Sequence, residues 1–335
     1  MQYKSIDLFA GIGGIRMGFD QAFNDDIKTV FVSEWDEYAQ KTYTDNFGDS
    51  PAIAGDITKI DEKEVPDFDI CLAGFPCVAF SLAGKRMGFK DLYKGQSRGI
   101  LFMDVVRICE YRKPKVIFCE NVKNLVNHDR GHTFKVIKEA FETIGYTVYY
   151  KVLNSKDFGV PQNRERIYMV AFRNDLKVDN FEFPTPTNPN TTIRQILEEK
   201  PVPSKYYLST TYWQTLLNHK ARHASKGNGF GYEIRDLDGI AGAIVCGGMG
   251  RERNLIIDKR QTDLTPTTHI KGEVNKDGIR KMTPREWARL QGFPDTFKLT
   301  LADTHLYKQF GNSVSVPVIR AIAEKIKAVL DNVEV

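Results

Sequence analysis

Residues 5–14 of the chain read Ser-Ile-Asp-Leu-Phe-Ala-Gly-Ile-Gly-Gly, an apolar run that ends in a glycine-rich turn. The stretch predicts a β-strand followed by the first turn of a helix, because glycines let the backbone turn tightly and approach a ligand closely. The helix N-terminus that follows favours a negative group. The spacing is not the GxGxxG of dinucleotide enzymes, whose third glycine would fall at Arg16. By itself the loop indicates a nucleoside-containing cofactor, or a tight turn without a ligand.

Two acidic residues follow this loop at positions that suit a nucleoside. Glu34 stands twenty residues after Gly14, at the end of the next apolar run, where a carboxylate suits a ribose diol. The adjacent Trp35 offers a face for an adenine ring. Asp56 ends the short segment AIAGDI and is placed to accept from an exocyclic amine. These residues extend the predicted cofactor site beyond the first loop.

Beyond the loop, β-rich runs alternate with helical stretches as far as about residue 181. The β-rich runs are SIDLFA, KTVFVSE, DICLAG, VIFCENV, YTVYYKVL and RIYMVAF. The helical stretches are IRMGFDQAF, EYAQKTYTDNF, ILFMDVVRICEYR and TFKVIKEAFETIG. Alternation of this kind predicts an α/β fold, a doubly wound and mostly parallel sheet with helices on both faces.

A second, smaller and loop-rich domain is predicted in the other half of the chain. FEFPTPTNPNTT is typical of a linker, and residues 190–300 are irregular apart from PREWARLQGF; helical periodicity then returns in VPVIRAIAEKIKAVL. We expect residues 1–185 and 305–335 to form the larger domain and residues 186–304 the smaller one. From Lys205 to Arg285 there are 14 Lys and Arg against 8 Asp and Glu, a local charge of +6 in a chain of net +4. This distribution is typical of a polyanion-binding domain, or of a solvated basic surface.

Composition favours a soluble, cytoplasmic protein. No run approaches 18 apolar residues, and the N-terminal sequence has no secretory layout. The five cysteines are scattered without a CxxC pair, which argues against a disulfide framework or a zinc site and predicts no bound metal.

Three groups at predicted strand ends carry reactive chemistry. Cys77 follows the strand DICLA and a proline, at the edge where α/β sheets place ligands, and a thiol is a strong nucleophile even when little is ionised. Glu120 ends the strand VIFC, where apolar neighbours favour a protonated carboxyl that donates a hydrogen bond. Arg164 and Arg166 alternate on extended chain, so we expect them to point the same way and to grip one oxygen-rich ligand together.

Together these groups suit methylation of cytosine at carbon 5. That carbon is a poor nucleophile until a thiolate adds at C6 and makes the ring an enamine. A carboxylic acid at N3 and a cation at O2 stabilise the charge that the addition pushes into the ring. The base has to leave the duplex stack to reach such a pocket.

The chain carries six ordered blocks, DLFAGIGG, GFPCVAFSLAG, ENVKNL, GVPQNRERIY, TPREWARLQGFPD and QFGNSV. In this order they resemble the bacterial C5-cytosine-specific DNA methyltransferases of restriction–modification systems, which use S-adenosylmethionine, release S-adenosylhomocysteine and have a Rossmann-like class I methyltransferase fold. The resemblance implies that Cys77 is the nucleophile, that Glu120 contacts N3, and that Arg164 and Arg166 hold the cytosine and a nearby phosphate. It implies a cofactor site lined by Phe9, Gly11, Gly13, Gly14, Glu34, Trp35, Asp56, Ile57, Pro76 and Asn312.

The same resemblance implies contacts to double-stranded DNA. Residues 83–99 are similar to a mobile loop that closes over DNA, and the basic segment corresponds to a target-recognition domain. The implied DNA contacts are Ser81, Arg98, Arg222, Lys226, Arg251 and Arg253. Within the segment, RHASKGNGFGYEI resembles enzymes that modify CC(A/T)GG or CCNGG. We expect a monomer, with a cognate restriction endonuclease as a partner that acts on the same site.

One residue departs from the family pattern, and three alternative functions were considered. The family usually has Gln, sometimes Asn, directly after the nucleophile, where this chain has Val78, so a hydrogen bond near the flipped nucleotide is in question. A nucleotide-dependent oxidoreductase is disfavoured by the glycine spacing. A non-catalytic DNA-binding relative and an RNA methyltransferase stay open, and the basic domain favours duplex DNA.

Overall fold

The computed structural model describes the chain except for residue 1 and four later stretches, and the described ranges are 2–76, 101–247, 249–263 and 272–333. The chain divides into two compact units. The first unit comprises Met1–Asn154, Glu165–Pro186 and Val316–Val335, and the second comprises Ser155–Arg164 and Thr187–Ser315. This division differs from the predicted boundaries at residues 155–164 and 305–315, which lie in the second unit.

Strands in the described residues are short and lie mostly in the first unit. In chain order they are β1 (Tyr3–Leu8), β2 (Ile27–Ser33), β3 (Ile53–Ala54), β4 (Ile70–Ala73), β5 (Val116–Val122), β6 (Tyr146–Asn154), β7 (Gln162–Asn163), β8 (Glu165–Arg173), β9 (Ala241–Gly242), β10 (Leu255–Ile257) and β11 (Ile279–Lys281). The predicted runs coincide with six of them, while the two-residue strand β3 has too little sequence signal to be recognised.

A seven-stranded sheet forms the centre of the first unit, in the order β3-β2-β1-β4-β5-β8-β6. Neighbours from β3 to β5 pair in parallel, and β8 runs antiparallel to both β5 and β6. The strand order moves outward from β1 in both directions, as in a doubly wound sheet. The α/β fold that the sequence predicted is confirmed.

The described residues form nine α-helices. They are α1 (Gly14–Phe23), α2 (Glu37–Phe47), α3 (Phe102–Arg112), α4 (His132–Thr143), α5 (Ile193–Ile196), α6 (Thr210–Ala224), α7 (Pro284–Leu290), α8 (Asp303–Asn312) and α9 (Val316–Val333). Within those ranges the structure has no helix both long enough and apolar enough to cross a lipid bilayer.

Both faces of the sheet are covered by helices. On one face, Ile117 and Cys119 of β5 belong to a core that also contains Phe102 of α3 and Phe141 of α4. On the other face, Phe118 packs against Phe19 of α1, with ring centroids 5.2 Å apart. Because alternate residues of a strand face opposite sides, β5 is buried on both faces, which explains its continuous apolar sequence.

The last helix belongs to the larger domain, as the sequence predicted, and it packs against the first helix. At Gly18 of α1 an added Cβ would lie 2.5 Å from the side chain of Ile319 in α9, so the two helices are in close contact there. α9 turns a stripe of seven buried residues inward over five turns, the spacing of an amphipathic helix that covers a core. The chain thus ends in the unit in which it begins.

The second unit contains more helix than the sequence predicted. α6 runs for 15 residues through a stretch that we expected to be irregular, and α8 was also not predicted. α6 buries only Leu216 fully, so the periodic apolar signal of a helix is weak there. A buried ion-pair network stabilises this unit, in which Arg280 bonds to Glu286 at 2.7 and 2.8 Å and to Asp258 at 3.0 Å.

Candidate active site

The carboxyl ends of four parallel strands meet at one edge of the sheet. Leu8 at the end of β1 is aligned with Ser33 of β2 and with Ala73 of β4, and Ala73 is aligned in turn with Cys119 of β5. The segments that come together at this edge are residues 9–13, Glu34, residues 74–76 and Glu120. Since β8 is antiparallel, its first residues also lie at this edge. The strand register therefore brings most of the predicted site residues of the first unit together at this edge.

The glycine-rich loop after β1 has the strained backbone that its sequence indicates. Phe9, Gly11 and Gly13 all have positive φ, at 55°, 54° and 81°. An added Cβ at Gly11 would have no heavy atom within 4 Å, whereas one at Gly13 would lie 2.2 Å from the ring of Phe47. Gly11 thus faces open space, and Gly13 is a contact point between the loop and α2. Gly14 begins α1.

Glu34 is tied directly to that loop. One carboxylate oxygen accepts the backbone N–H of Gly11 at 2.8 Å, and the other accepts the N–H of Asp36 at 2.8 Å. The Gln40 side chain donates to the Glu34 carbonyl at 2.6 Å. Each carboxylate oxygen has lone pairs left for a further donor. The neighbouring Trp35 is 79% exposed, so its ring is available to a flat ligand.

Asp56 and Ile57 begin the next turn of the structure. The Asp56 carboxylate accepts from the backbone N–H and the hydroxyl of Thr58 at 3.0 and 2.7 Å. The Thr58 hydroxyl is the main cause that lowers the pKa of Asp56. Ile57 is buried in the core, and its carbonyl accepts from Arg107 at 2.8 Å, so its side chain serves packing. No sequence pattern indicated this structural use of Ile57.

The segment that leads to the predicted nucleophile is fixed to β5. Asn121 donates from its side-chain nitrogen to the carbonyl of Phe75 at 2.8 Å, and Pro76 is exposed. Cys77, Val78, Ser81 and Arg98 lie outside the described residues. The contact of Asn121 nevertheless fixes the chain two residues before Cys77 at the edge where Glu120 is found.

Glu120 and Arg166 form an ion pair at this edge. The Glu120 Oε1 and Arg166 Nε atoms are 3.2 Å apart, and both side chains are largely buried. Arg166 is aligned with Val122 across the antiparallel β5–β8 pair, which brings it diagonally over Glu120. Arg166 also donates to the carbonyl of Glu165 at 2.8 Å. The carboxylate is therefore held in one orientation by a charged neighbour, which the sequence did not predict.

Arg164 does not join this pair, which corrects the expectation that the two arginines grip one ligand together. It belongs to the second unit and is 2% exposed. Its guanidinium donates to the carbonyls of Ile244 at 2.8 Å, Ser313 at 2.6 Å and Gly311 at 3.5 Å. Residue 164 lies between β7 and β8, so the alternation expected of one continuous strand does not apply. Within its unit the side chain holds three backbone segments together.

Two buried polar networks were missed at the level of sequence. In the second unit, Gln162 is fully buried, accepts from the Ile244 N–H at 3.0 Å and donates to the Leu290 carbonyl at 2.8 Å. Its neighbour Gln291 donates to the Phe310 carbonyl at 2.9 Å. Both glutamines stand in motifs quoted above, but a glutamine in a motif does not reveal by itself whether it binds backbone or ligand.

The other network lies beneath the glycine-rich loop. Tyr43 donates to the fully buried carboxylate of Asp7 at 3.3 Å, and Arg16 donates to the Tyr43 hydroxyl at 3.1 Å and to Asp20 at 3.2 Å. The Arg16 guanidinium also lies over the Phe47 ring, 4.5 Å from its centroid. Burial raises the pKa of Asp7 to about 7. The network joins β1, α1 and α2 on the inner side of the loop.

The remaining predicted residues lie in the second unit. Asn312 ends α8 and is exposed. Arg222 and Lys226 are exposed near the end of α6, whereas Arg251 lies over the Tyr307 ring at 5.3 Å and Arg253 pairs with Glu233 at 3.5 Å. In the part of the chain that the structure describes, no cluster of His, Cys, Asp and Glu is arranged to hold a metal.

Comparison with known proteins identifies a single family over nearly the whole chain. Residues 3–328 match the model of the C-5 cytosine-specific DNA methylases. The Type II methyltransferase M.HpaII of Haemophilus parainfluenzae is 57% identical over 335 residues, which cover 99% of this chain and 91% of that protein. M.SsoII of Shigella sonnei is 49% identical over 334 residues, covering 99% and 82%. The fold is similar to that of the S. pombe Dnmt2 methyltransferase, with a TM-score of 0.72, 18% identity and full coverage of both chains.

Proposed function

Because the chain belongs to the C-5 cytosine-specific DNA methylase family, we propose that it transfers a methyl group from S-adenosylmethionine to C5 of a cytosine in a short duplex site, with Cys77 as the nucleophile. DNA cytosine-5-methyltransferase activity itself follows from the family and from the named Type II relatives. The observation that carries the residue assignment is the Glu120–Arg166 pair, at the edge of the sheet where the backbone leads to Cys77.

The residues after β1 and β2 fit S-adenosylmethionine. A cradle for a ligand is open in front of Gly11, and the Glu34 carboxylate beside it has acceptor capacity for a ribose diol. The exposed Trp35 offers a face on which adenine can stack. When bound, the cofactor supplies an electrophilic methyl group on a sulfonium. Phe9, Asp56 and Pro76 complete the part of this proposed site that the first unit supplies.

The residues around β5 would activate the cytosine in a defined order. The Cys77 thiolate adds to C6, and the electron pair of the C5–C6 double bond moves into the ring towards N3. Glu120 donates a proton or hydrogen bond at N3, while Arg166 orients Glu120 and supplies the cation near O2. C5 would then take the methyl group as its bond to the sulfonium sulfur breaks, and N3 would return its proton to Glu120. A base then removes the C5 proton, and the bond between Cys77 and C6 breaks, which restores the ring and the thiolate. The target has to be turned out of the duplex for these contacts.

Target recognition is proposed for residues 187–315 of the second unit, which contain the basic segment from Lys205 to Arg285. The segment RHASKGNGFGYEI favours a site of the CC(A/T)GG or CCNGG type. We further propose that the protein acts as a monomer in the bacterial cytoplasm, where its DNA is, beside a restriction endonuclease for the same site. The Type II relatives, which are similar over 99% of the chain, support this setting.

One experiment tests both the activity and the target. A plasmid recovered from cells that express the protein is sequenced after bisulfite treatment, and the same plasmid from cells with the Cys77→Ala variant serves as the matched control. We expect protected cytosines at one position of one short motif in the first plasmid and none in the second. A plasmid without protected cytosines, recovered from cells that contain folded protein, would contradict the proposed function.

A further inference from the structure

The turn that carries Asp56 depends for its position on side chains from outside it. It lies in the segment between β3, which has only two residues, and β4. In this segment the backbone N–H groups of Lys59, Ile60 and Glu64 donate to carbonyls three residues earlier in the chain. Because such bonds close turns within the segment, they shape it without fixing its position in the first unit.

The Asp56 carboxylate is held firmly within its own turn. Its Oδ1 atom accepts both bonds from Thr58, and its Oδ2 atom lies 3.6 Å from the Lys59 ammonium. The Asp56 side chain is 36% exposed, so Oδ2 keeps a lone pair for a donor on a ligand. The position of Oδ2 is therefore determined by the position of the whole turn.

Arg107 of α3 connects that turn to the helix. Its guanidinium donates to the Ile57 carbonyl at 2.8 Å, to Glu62 Oε2 at 2.9 Å and to Asp104 Oδ1 at 2.9 Å. Three different nitrogen atoms make these bonds, so the planar group is fixed in orientation as well as in position. Since Ile57 directly follows Asp56, Arg107 attaches the backbone beside the Asp56 carboxylate to α3.

The first turn of α3 lies close to the Asp56 carboxylate. Burial raises the pKa of Asp104 and the negative charge of Asp56 adds to this rise, whereas Arg107 opposes it. The two carboxylates are thus near enough to interact. Arg107 bonds to one of them and to the backbone next to the other, so it joins the helix and the turn at the point where they meet.

Arg112 makes a similar set of contacts farther from this turn, at the end of the same helix. It donates to the carbonyls of Glu62 at 3.2 Å and Lys63 at 2.6 Å, and to the Asp67 carboxylate at 2.9 Å. The side chains of Arg107 and Arg112 are 17% and 18% exposed. The two arginines therefore match in helix and burial, and they differ in which part of the segment they hold.

We propose that Arg107 is a positioning residue for cofactor selectivity: by holding the Ile57 carbonyl, it places Asp56 Oδ2 where that atom accepts from the exocyclic amine of adenine. The inference rests on the proposed cofactor site and names the residue that fixes its selectivity for this amine. A binding group of this kind has to be held within a fraction of an ångström by the residues behind it. A purely stabilising role would make Arg107 and Arg112 equivalent, whereas the proposal makes them different.

The test compares the binding of S-adenosylhomocysteine with that of its deamino analogue, in which hydrogen replaces the exocyclic amine. Calorimetric titration of the full chain with each compound gives a ratio of affinities, the amine preference. A hydrogen bond from that amine to an ionised carboxylate predicts an amine preference of about ten- to a hundredfold for the wild type. Asp56→Ala should abolish this preference.

The two arginines should then give different results. Arg107→Gln should reduce the amine preference by about fivefold or more, because the turn is no longer held beside α3. Arg112→Gln is the matched control and should leave the preference within error of wild type. The melting temperatures of the two variants should fall by similar amounts, since each loses a buried arginine with three partners.

Further variants separate position from charge and from an unrelated loss of affinity. Arg107→Lys keeps the positive charge but lacks the planar fork that reaches three partners, so it should lose most of the amine preference. It also provides the test if Arg107→Gln does not fold. In the Asp56→Ala background, Arg107→Gln should weaken binding of S-adenosylhomocysteine no further, because both residues act through one contact. In the Trp35→Ala background it should have its full effect.

The results distinguish this inference from the proposed function. A wild-type preference that survives in Arg107→Gln, or that falls equally in Arg112→Gln, overturns the positioning role while the cofactor site stands. Full retention of the preference by Arg107→Lys would mean that charge alone acts, which also contradicts the proposal. A wild type that binds S-adenosylhomocysteine without any amine preference overturns the inference through Asp56. A wild type that does not bind it overturns the proposed cofactor site itself.

Discussion

Gly11 and Gly13 lie two residues apart in the loop after β1, yet alanine should mainly lower stability at Gly13 and mainly weaken cofactor binding at Gly11. Both have positive φ, at 54° and 81°, where a Cβ costs about 1–2 kcal/mol. At Gly13 the added methyl would also lie 2.2 Å from the Phe47 ring, and overpacking of this kind adds about 1–3 kcal/mol. We therefore expect Gly13→Ala to lower the free energy of unfolding by about 2–5 kcal/mol. Gly11→Ala should lower it by only about 1–2 kcal/mol.

The affinity for the cofactor should show the reverse order, with the larger loss in Gly11→Ala. The Cβ of Gly11→Ala points into open space, which in the proposed site belongs to S-adenosylmethionine, so the affinity for the cofactor should fall at least tenfold. The assays are urea unfolding followed by circular dichroism, and calorimetric titration with the cofactor. A second substitution, Phe47→Ala, should recover the steric part of the Gly13→Ala loss but not the part due to φ. Equal stability of the two single variants, or no recovery of stability in the double variant, would refute this interpretation of the loop.

Three further predictions concern other parts of the site. Burial raises the pKa of Asp7 to about 7 from 3.8, so the folded state binds the extra proton between these values and stability falls as pH rises from about 4 to 7. Asp7→Asn should remove that decline. In urea unfolding, the free energy of unfolding of the variant relative to wild type should rise by up to about 4 kcal/mol between pH 4 and pH 8. Parallel pH profiles of the two proteins would count against this prediction. Val78→Gln should keep or raise the turnover of methyl transfer, and a sharp loss in a tritium-transfer assay would mean that the position is misread. Arg164→Gln should lower the melting temperature by several degrees, since three backbone carbonyls lose a charged donor, whereas Arg166→Gln should abolish most of the methyl transfer, because Glu120 loses the cation that orients it.

The sequence predicted the sheet and most of the edge at which the site lies. Strands such as β4 and β5 are buried on both faces, and a continuous apolar run that ends in glycine or in an acidic residue leaves few other interpretations. Glu34 and Glu120 were placed by the same logic, because parallel strands end at a common edge.

What the sequence did not predict depends on contacts between distant residues. The pairing of Glu120 with Arg166 follows from the antiparallel register of β5 and β8, which no local pattern reveals. Arg164 was assigned to the same ligand because both arginines stand in one motif, but its partners are carbonyls 80 to 149 residues away. α6 was not predicted because a helix with a single fully buried side chain shows almost no periodic pattern of apolar residues.

The most direct test of the proposed chemistry is covalent trapping on DNA that contains 5-fluorocytosine, in the presence of S-adenosylmethionine. Fluorine at C5 cannot leave as a proton does, so an adduct at C6 persists after methyl transfer and migrates as a protein–DNA complex on a denaturing gel. We predict such a complex for the wild type and for Cys246→Ala, which changes the exposed cysteine of the second unit. We predict none for Cys77→Ala. A complex of equal yield with Cys77→Ala, or full methyl incorporation by that variant, would contradict the account.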